Sequence, residues 1–130
     1  MRFIILLFGF FLVAGSAYAE EAAEAQPSAI YLELKPQFVV NLLGDKHYLR
    51  ASVQLQLADD ATKDAIEYNE AAIRHTLIVL LSNNNVNDIT NNDGLADLRL
   101  RGIEALNETL KKQAGHGKVV ELFFSEFISQ

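Results

Sequence analysis

Between Tyr48 and Leu57 every second residue is apolar. Leu49, Ala51, Val53, Leu55 and Leu57 alternate with Tyr48, Arg50, Ser52, Gln54 and Gln56. A period of two spreads apolar side chains around a helix, but gives a strand one buried face and one wet face. A lone strand of this kind leaves its backbone groups unpaired. The chain must therefore supply neighbouring strands and a layer that covers the apolar face. The nearest neighbour in sequence is Ile30 to Leu42. There Ile30, Leu32 and Leu34 alternate with Tyr31, Glu33 and Lys35, and Phe38, Val39 and Val40 continue extended beyond Pro36. Proline has no N–H to give to a ladder, which predicts an edge or a bulge at that point. Gly44-Asp45-Lys46 forms a turn short enough for the two strands to pair antiparallel.

Helices follow. Asp59 or Asp60 caps a short helix over Ala61 to Tyr68. Asn69 caps a second over Glu70 to Leu81, with Ala72, Ile73, Thr76, Leu77, Leu80 and Leu81 at helical spacing. Ile78 and Val79 widen its stripe, so this helix is expected to be largely buried. Asn83 to Asn92 (NNNVNDITNN) reads as a loop anchored by Val86 and Ile89. Asn92 or Asp93 caps a third helix, with Leu95, Leu98, Ile103, Leu106 and Leu110 inside. Arg99, Arg101, Glu104, Glu108, Lys111 and Lys112 take its wet side, and Gly115 and Gly117 end it. Lys118 to Gln130 is a last strand, rich in β-branched and aromatic residues. The order β-β-α-α-α-β predicts an α+β fold over 30–130. It is a single domain with a small, mainly antiparallel sheet, helices on one face, and the last strand returning to the first two.

Ahead of this domain, Arg2 gives one positive charge and Phe3 to Val13 is apolar apart from Gly9. Ala17 and Ala19 then place small residues at positions −3 and −1 of a cut before Glu20. This is the layout of a secretory signal peptide over residues 1–19. The alternative is a short membrane anchor, since Phe3 to Ala19 carries no charge and spans roughly 25 Å as a helix. Residues 20–29, beginning EEAAEAQPS, read as an acidic linker. Both readings put the domain outside the cytoplasm. It touches membrane only if the N-terminal segment is retained.

Arg2 is the one charged residue among the first nineteen, so the rest of the chain holds ten Lys and Arg against seventeen Asp and Glu, a net −7. An acidic chain without a basic cluster argues against nucleic acid as a partner. There is no cysteine, so an exported domain of this size rests on its core or on neighbours in an assembly.

The search for chemistry returns no catalytic residue, no cofactor site and no metal site. His47, His75 and His116 are not paired at ligand spacing. Aligning Gly94 with the glycine of a calcium-binding EF-hand loop puts Ile89 and Leu100 where acidic ligands belong. No serine stands in a G-x-S-x-G setting, and no glycine-rich phosphate loop is present. Asn107-Glu108-Thr109 fits a glycosylation pattern but falls within a helix. In the last strand, strict alternation groups Phe124 with Val120, Leu122 and Ile128, and Phe123 with Val119 and Phe127. Two apolar faces describe either a central strand covered on both sides or a strand that offers one face, with Phe123 and Phe127, to self-association.

Three segments together resemble the FliL family of flagellar basal-body-associated proteins. The first is YLELKPQFVVNL followed by YLRASVQLQL. The second runs from Ala71 to Leu110, where a helix ending Leu-Leu-Ser leads through a polar loop to an Arg-bearing helix ending Leu-Asn-x-x-Leu. The third is the closing VVELFFSEFISQ. The resemblance implies an α+β domain similar to the stomatin type and no reaction. It implies a homo-oligomer that assembles in the periplasm, with the flagellar stator or other basal-body proteins as partners, supporting motility. The location implied is the periplasm, or the inner membrane facing it, at the basal body. The other reading of the residues is a soluble exported binding module, of a chaperone or inhibitor kind, unrelated to the stator.

Overall fold

Tyr48–Leu57 is the middle strand of a three-stranded antiparallel sheet in the computed structural model, which describes residues 29–130 except Asp45. The elements are β1 (Ile30–Asn41), β2 (Tyr48–Leu57), α1 (Asp60–Tyr68), α2 (Glu70–Ser82), α3 (Val86–Ile89), α4 (Asn92–Gln113) and β3 (Val119–Ser129). The sheet order is β1-β2-β3, and the helices cover one face. The domain is α+β, in the expected order. The leader or anchor over 1–19, with its cut at Ala17, Ala19 and Glu20, lies outside the described residues, as does the linker through Ser28. Among the described residues no helix is long and apolar enough to cross a membrane.

The alternation in β2 does what its period requires. Leu49, Ala51, Val53 and Leu55 are fully buried and Leu57 nearly so. β1 pairs with it from Ile30 opposite Leu57 to Asn41 opposite Tyr48. Between Leu34 (opposite Val53) and Phe38 (opposite Ala51), β1 uses three residues where β2 uses only Ser52. The surplus of two leaves parity unchanged, so Phe38 and Val40 return to the core face. Pro36 sits inside this bulge on an edge strand, so both expectations for it hold.

β3 departs from strict alternation. Val119 faces Leu57, Glu121 faces Gln56, Phe124 faces Val53 and Glu126 faces Ser52. Val120 and Ser125 are therefore single-residue bulges, and each reverses the sense of the strand. Val119, Leu122, Phe124 and Phe127 all point to the helices, whereas Phe123 points the other way. The grouping of Phe123 with Val119 and Phe127 is thus corrected. So is the central-strand reading, since β3 lies at an edge.

Caps and close contacts explain the helices. The Asp59 carboxylate accepts the Thr62 N–H at 2.8 Å and the Thr62 hydroxyl at 2.6 Å, which makes Asp59 the cap of α1. Asn69 stands between α1 and α2, but its amide turns back to the Ala65 carbonyl and closes α1 rather than opening α2. α2 buries Ile73, Leu77 and Leu81 on the sheet, and its Thr76 hydroxyl meets that of Thr109 on α4 at 2.6 Å. Ile78 and Val79 are 41% and 52% exposed, so the stripe is narrower than expected. The Asn-rich segment is not all loop. Ile89 is buried and draws Val86–Ile89 into a single helical turn. The cap of α4 is Asn91, one residue earlier than expected, and its side chain accepts the Gly94 N–H at 2.7 Å.

Gly94 marks where α3 and α4 touch. A Cβ there would lie 1.7 Å from the Asp88 backbone carbonyl oxygen. At Gly102 it would meet the ends of two flexible side chains, Leu122 at 2.9 Å and Leu80 at 3.5 Å. Alanine gains about 1 kcal/mol of helix propensity over glycine. Gly94→Ala is nevertheless expected to lose about 2–4 kcal/mol, because backbone must move, and Gly102→Ala distinctly less. Urea unfolding of the two variants checks the order.

Candidate interaction surface

Among the described residues, one face of the sheet carries no helix. Its residues are those that β2 turns away from the core, with their partners on either side. Tyr31 (51% exposed), Val39 (64%), Tyr48 (38%) and Ile128 (43%) lie there, with Phe123 half-buried against Tyr31 at 6.5 Å between ring centroids. Val39, Arg50 and Ile128 form one row across the three strands. The Gln37 side chain, on the bulge, donates to the Ser52 hydroxyl at 2.8 Å and also to Glu126. Tyr48 donates to the Gln130 side chain. The face is a mixed one of aromatic, aliphatic and amide groups, linked by its own polar contacts. Of the two residues singled out for self-association, Phe123 is on this face. Phe127 packs on the core, edge-on to Phe124 at 5.0 Å.

The outward edge of β3 is occupied by α4. The Asn107 amide accepts the Val119 N–H at 2.7 Å and donates to the Val119 carbonyl at 3.1 Å, as a neighbouring strand would. Two turns earlier Arg99 donates from Nε to the Leu122 carbonyl at 2.9 Å, then reaches Glu121 at 3.0 Å. Its guanidinium lies 5.5 Å from the Phe123 ring centroid. The spacings fit, because eight helical residues rise about 12 Å and three strand residues about 10 Å. Arg101 reaches the other way. It donates to Asp97 at 2.7 Å and to the Asn84 side-chain Oδ1 at 3.1 Å, while the Asn84 side-chain Nδ2 donates to the Leu80 and Leu81 carbonyls that end α2. Helical spacing puts Arg99 and Arg101 on the wet side; both are instead half-buried fasteners.

A third joint sets where α1 and β3 begin. The Thr62 hydroxyl, fully buried, donates to Asp59 and accepts the Lys118 N–H at 3.0 Å. The Thr62 hydroxyl, and after it the Thr62 N–H, hold the Asp59 carboxyl below its ordinary value of 3.8.

The histidines form no site with this machinery, though the charge of His116 is a minor further cause of the lowered Asp59 value. All three are exposed, and His116 meets only the Ala114 carbonyl at 3.0 Å. Among the described residues no three His, Cys, Asp or Glu side chains gather as a metal site would need. The cleft by His116, between α1 and the end of α4, is lined by Asp64, Tyr68, Asn69 and Gln113. Asn107, read in sequence as the start of a glycosylation tripeptide, has its amide committed to β3.

A family model described as flagellar basal body-associated protein FliL matches residues 31–130, which is the folded domain from the second residue of β1 to the last of the chain. The chain belongs to the FliL family. It is also 30% identical over 103 residues to a protein of Aquifex aeolicus named flagellar protein FliL. The match covers 78% of this chain and 62% of that relative. Within the FliL domain, the Leu-Asn-x-x-Leu motif of α4 joins helix to core and to strand. Leu106 and Leu110 are buried in the core while Asn107 between them holds β3. The Arg-bearing start of the same helix supplies Arg99 and Arg101. The three segments that carried the resemblance are β1 with β2, the helical layer, and the strand that α4 clamps.

Two predictions test these joints. Asn107→Leu strips partners from both backbone groups of Val119 and is expected to lose about 2–4 kcal/mol. Amide exchange should quicken first at the start of β3. Asp59 is stabilising in its charged form. That contribution is present above pH 3.8 and is lost as pH falls through its lower folded value. Asp59→Ala should therefore be less stable than the parent at pH 7, with the gap closing below pH 3.8, as urea melts across that range would show.

Proposed function

We propose that this chain is a non-enzymatic component of the bacterial flagellar basal body, supporting stator function and motility through contacts made in the periplasm. One observation carries most of the weight. The family match spans the whole folded domain, and the residues with chemical potential are taken up in holding it together. Arg99, Arg101, Asn107, Thr62 and Asp59 are joints between elements. What the domain presents outward is an uncovered sheet face of a kind suited to protein contact.

The N-terminal residues bear on how the domain meets its partners. A signal-like segment over 1–19 exports the domain, and the acidic stretch 20–29 spaces it from whatever holds its start. Retained, the segment keeps the domain within a few tens of ångströms of the inner membrane, roughly 30 Å at full extension of the linker. Cleaved before Glu20, it releases the domain to find basal-body partners by affinity alone. Assembly into homo-oligomers belongs to the same reading.

A clean deletion of the gene is the direct test. Swarming, and swimming in viscous medium, should fall in the deletion strain and return on complementation. Full motility under high load would refute the stator role. N-terminal sequencing of the mature protein separates the two modes of attachment, a start at Glu20 being expected for export with cleavage.

A further inference from the structure

A basic corner lies where α4 gives way to β3. Lys111, Lys112, His116 and Lys118 fall within eight residues, and all four are exposed. Along the sequence, KKQAGHGK is too short and too mixed to read as a basic tract. The fold gives it a shape. Lys111, His116 and Lys118 border a hollow of about 370 Å³, with Asn107, Gly115 and Gly117 as the rest of its wall. Gly115 and Gly117, at φ of 73° and 103°, set no side chain over it. Among the described residues none of the three lysines has a carboxylate within 4.0 Å, and the His116 and Gly117 N–H groups find no acceptor. The near carboxylate, Asp59, is held by Thr62. Unpaired cations and free N–H groups around one hollow make a receptor for carboxylates. We infer that this hollow binds the acidic segment Glu20 to Glu24 of the same chain, folded back over the end of the sheet.

Reach selects that occupant. Ile30 pairs with Leu57 and Leu57 with Val119, so the chain enters the domain at the end of the sheet where the hollow lies. Two strand spacings put Ile30 about 10 Å from Val119. Glu24 stands six residues before Ile30 and Glu20 ten, which at full extension reach roughly 20 and 30 Å. So short a tether gives an effective concentration on the order of millimolar, enough to fill a weak site on the same copy. Charge points the same way. Residues 20–29 hold Glu20, Glu21 and Glu24 and no cation. A second groove within reach runs along β1, but Glu33, Glu67 and Glu70 line it. Its Lys35 is already paired with Glu33 at 3.7 Å. Like charge turns the segment away from that groove and towards the basic corner.

Docking gives the tether two lengths. Docked, residue 20 lies against the domain; released, it reaches roughly 30 Å from the start of β1. Exposed ion pairs are individually weak, and salt screens them beyond about 8 Å at physiological strength. The docked state is therefore reversible, and salt or a competing polyanion frees the segment. With residues 1–19 retained in a membrane, the docked chain holds its domain close to the bilayer and the released chain lets it stand off. The docking is a property of the chain alone and does not rest on the flagellar reading.

The absence of cysteine from the sequence makes the test clean. Full chains carry Ala22→Cys together with Gln113→Cys, exposed beside His116, or with Ala71→Cys, exposed beside Glu70 of the acidic groove. A short bismaleimide then closes an internal loop, read by mass as a monomer without free thiols. Closure onto position 113 is expected to be about tenfold faster than onto position 71. Lys111→Glu with Lys118→Glu should slow closure at 113 about tenfold, and adding Glu20→Lys, Glu21→Lys and Glu24→Lys should restore it, because opposite charges then face each other again. Unchanged circular dichroism and melting keep misfolding out of the reading. Equal closure at the two positions, no response to the charge reversal, or no recovery in the swap overturns the proposal. Covalent dimers in place of loops overturn it in favour of a second copy as occupant. Loss of the loop with phosphatidylglycerol vesicles, but not with phosphatidylcholine vesicles, overturns it in favour of a lipid surface.

Discussion

Among the described residues the far side of β3 has no strand beside it, and the arrangement of the domain depends on how its outward backbone groups are satisfied. A buried or half-buried peptide group without a partner loses about 1–3 kcal/mol, so a helix that stands in for the missing strand is held in register with it. α4 does this with two side chains set two turns apart. Asn107 pairs with Val119, and Arg99 with Leu122. Once α4 is fixed on β3, its buried leucines fix α2, and Arg101 fixes the end of α2 through Asn84. The helical layer is thus referenced to the sheet edge by hydrogen bonds and filled in by packing. The apolar contacts supply the larger share of the energy, but they are not directional. The polar contacts decide the register.

Much of the fold is legible in the sequence. β2 is readable because one buried and one wet face is the situation that period two encodes. The helices are readable from their caps and spacing. What stays hidden follows from physical causes that leave little trace in a single sequence. The bulges at Val120 and Ser125 break parity without a glycine or proline to mark them, so alternation puts Phe123 and Phe127 on one face although they are in fact opposed. Arg99 and Arg101 look like solvated charges on the wet side of a helix. Nothing local shows that a guanidinium will turn back to a strand more than twenty residues away. Ile78 and Val79 extend an apolar run, but burial depends on how wide the covering layer is, which is a property of the whole domain. For the candidate surface, the sequence pointed to the strand and the topology chose the face.

A small domain without cysteine, and with no metal-ligand cluster among the described residues, must draw its stability from packing. This one buries most of its leucines, with selected isoleucines, valines and alanines and Phe38, in a single continuous cluster between the sheet and the helices. Among the described residues nothing covers the second face of the sheet. Such two-layer architecture is common, and by itself an open face is only a surface. Here it is also where the opposite charges of an acidic chain lie nearest to balance, and where exposed aromatic and β-branched side chains collect.

The detour in β1 has a bearing on how such chains change over time. Three residues lie where β2 has one, a surplus of two, and two is what lets Phe38 rejoin the face of Leu34. Loss of both extra residues would shorten the strand and leave its sidedness intact. Loss or gain of a single one would carry Phe38 and Val40 out into water and draw Val39 and Asn41 inward. Length at this point is therefore quantised in steps of two. Related chains that straighten or enlarge the bulge are constrained to do so by even numbers, with the identity of the intervening residues left comparatively free.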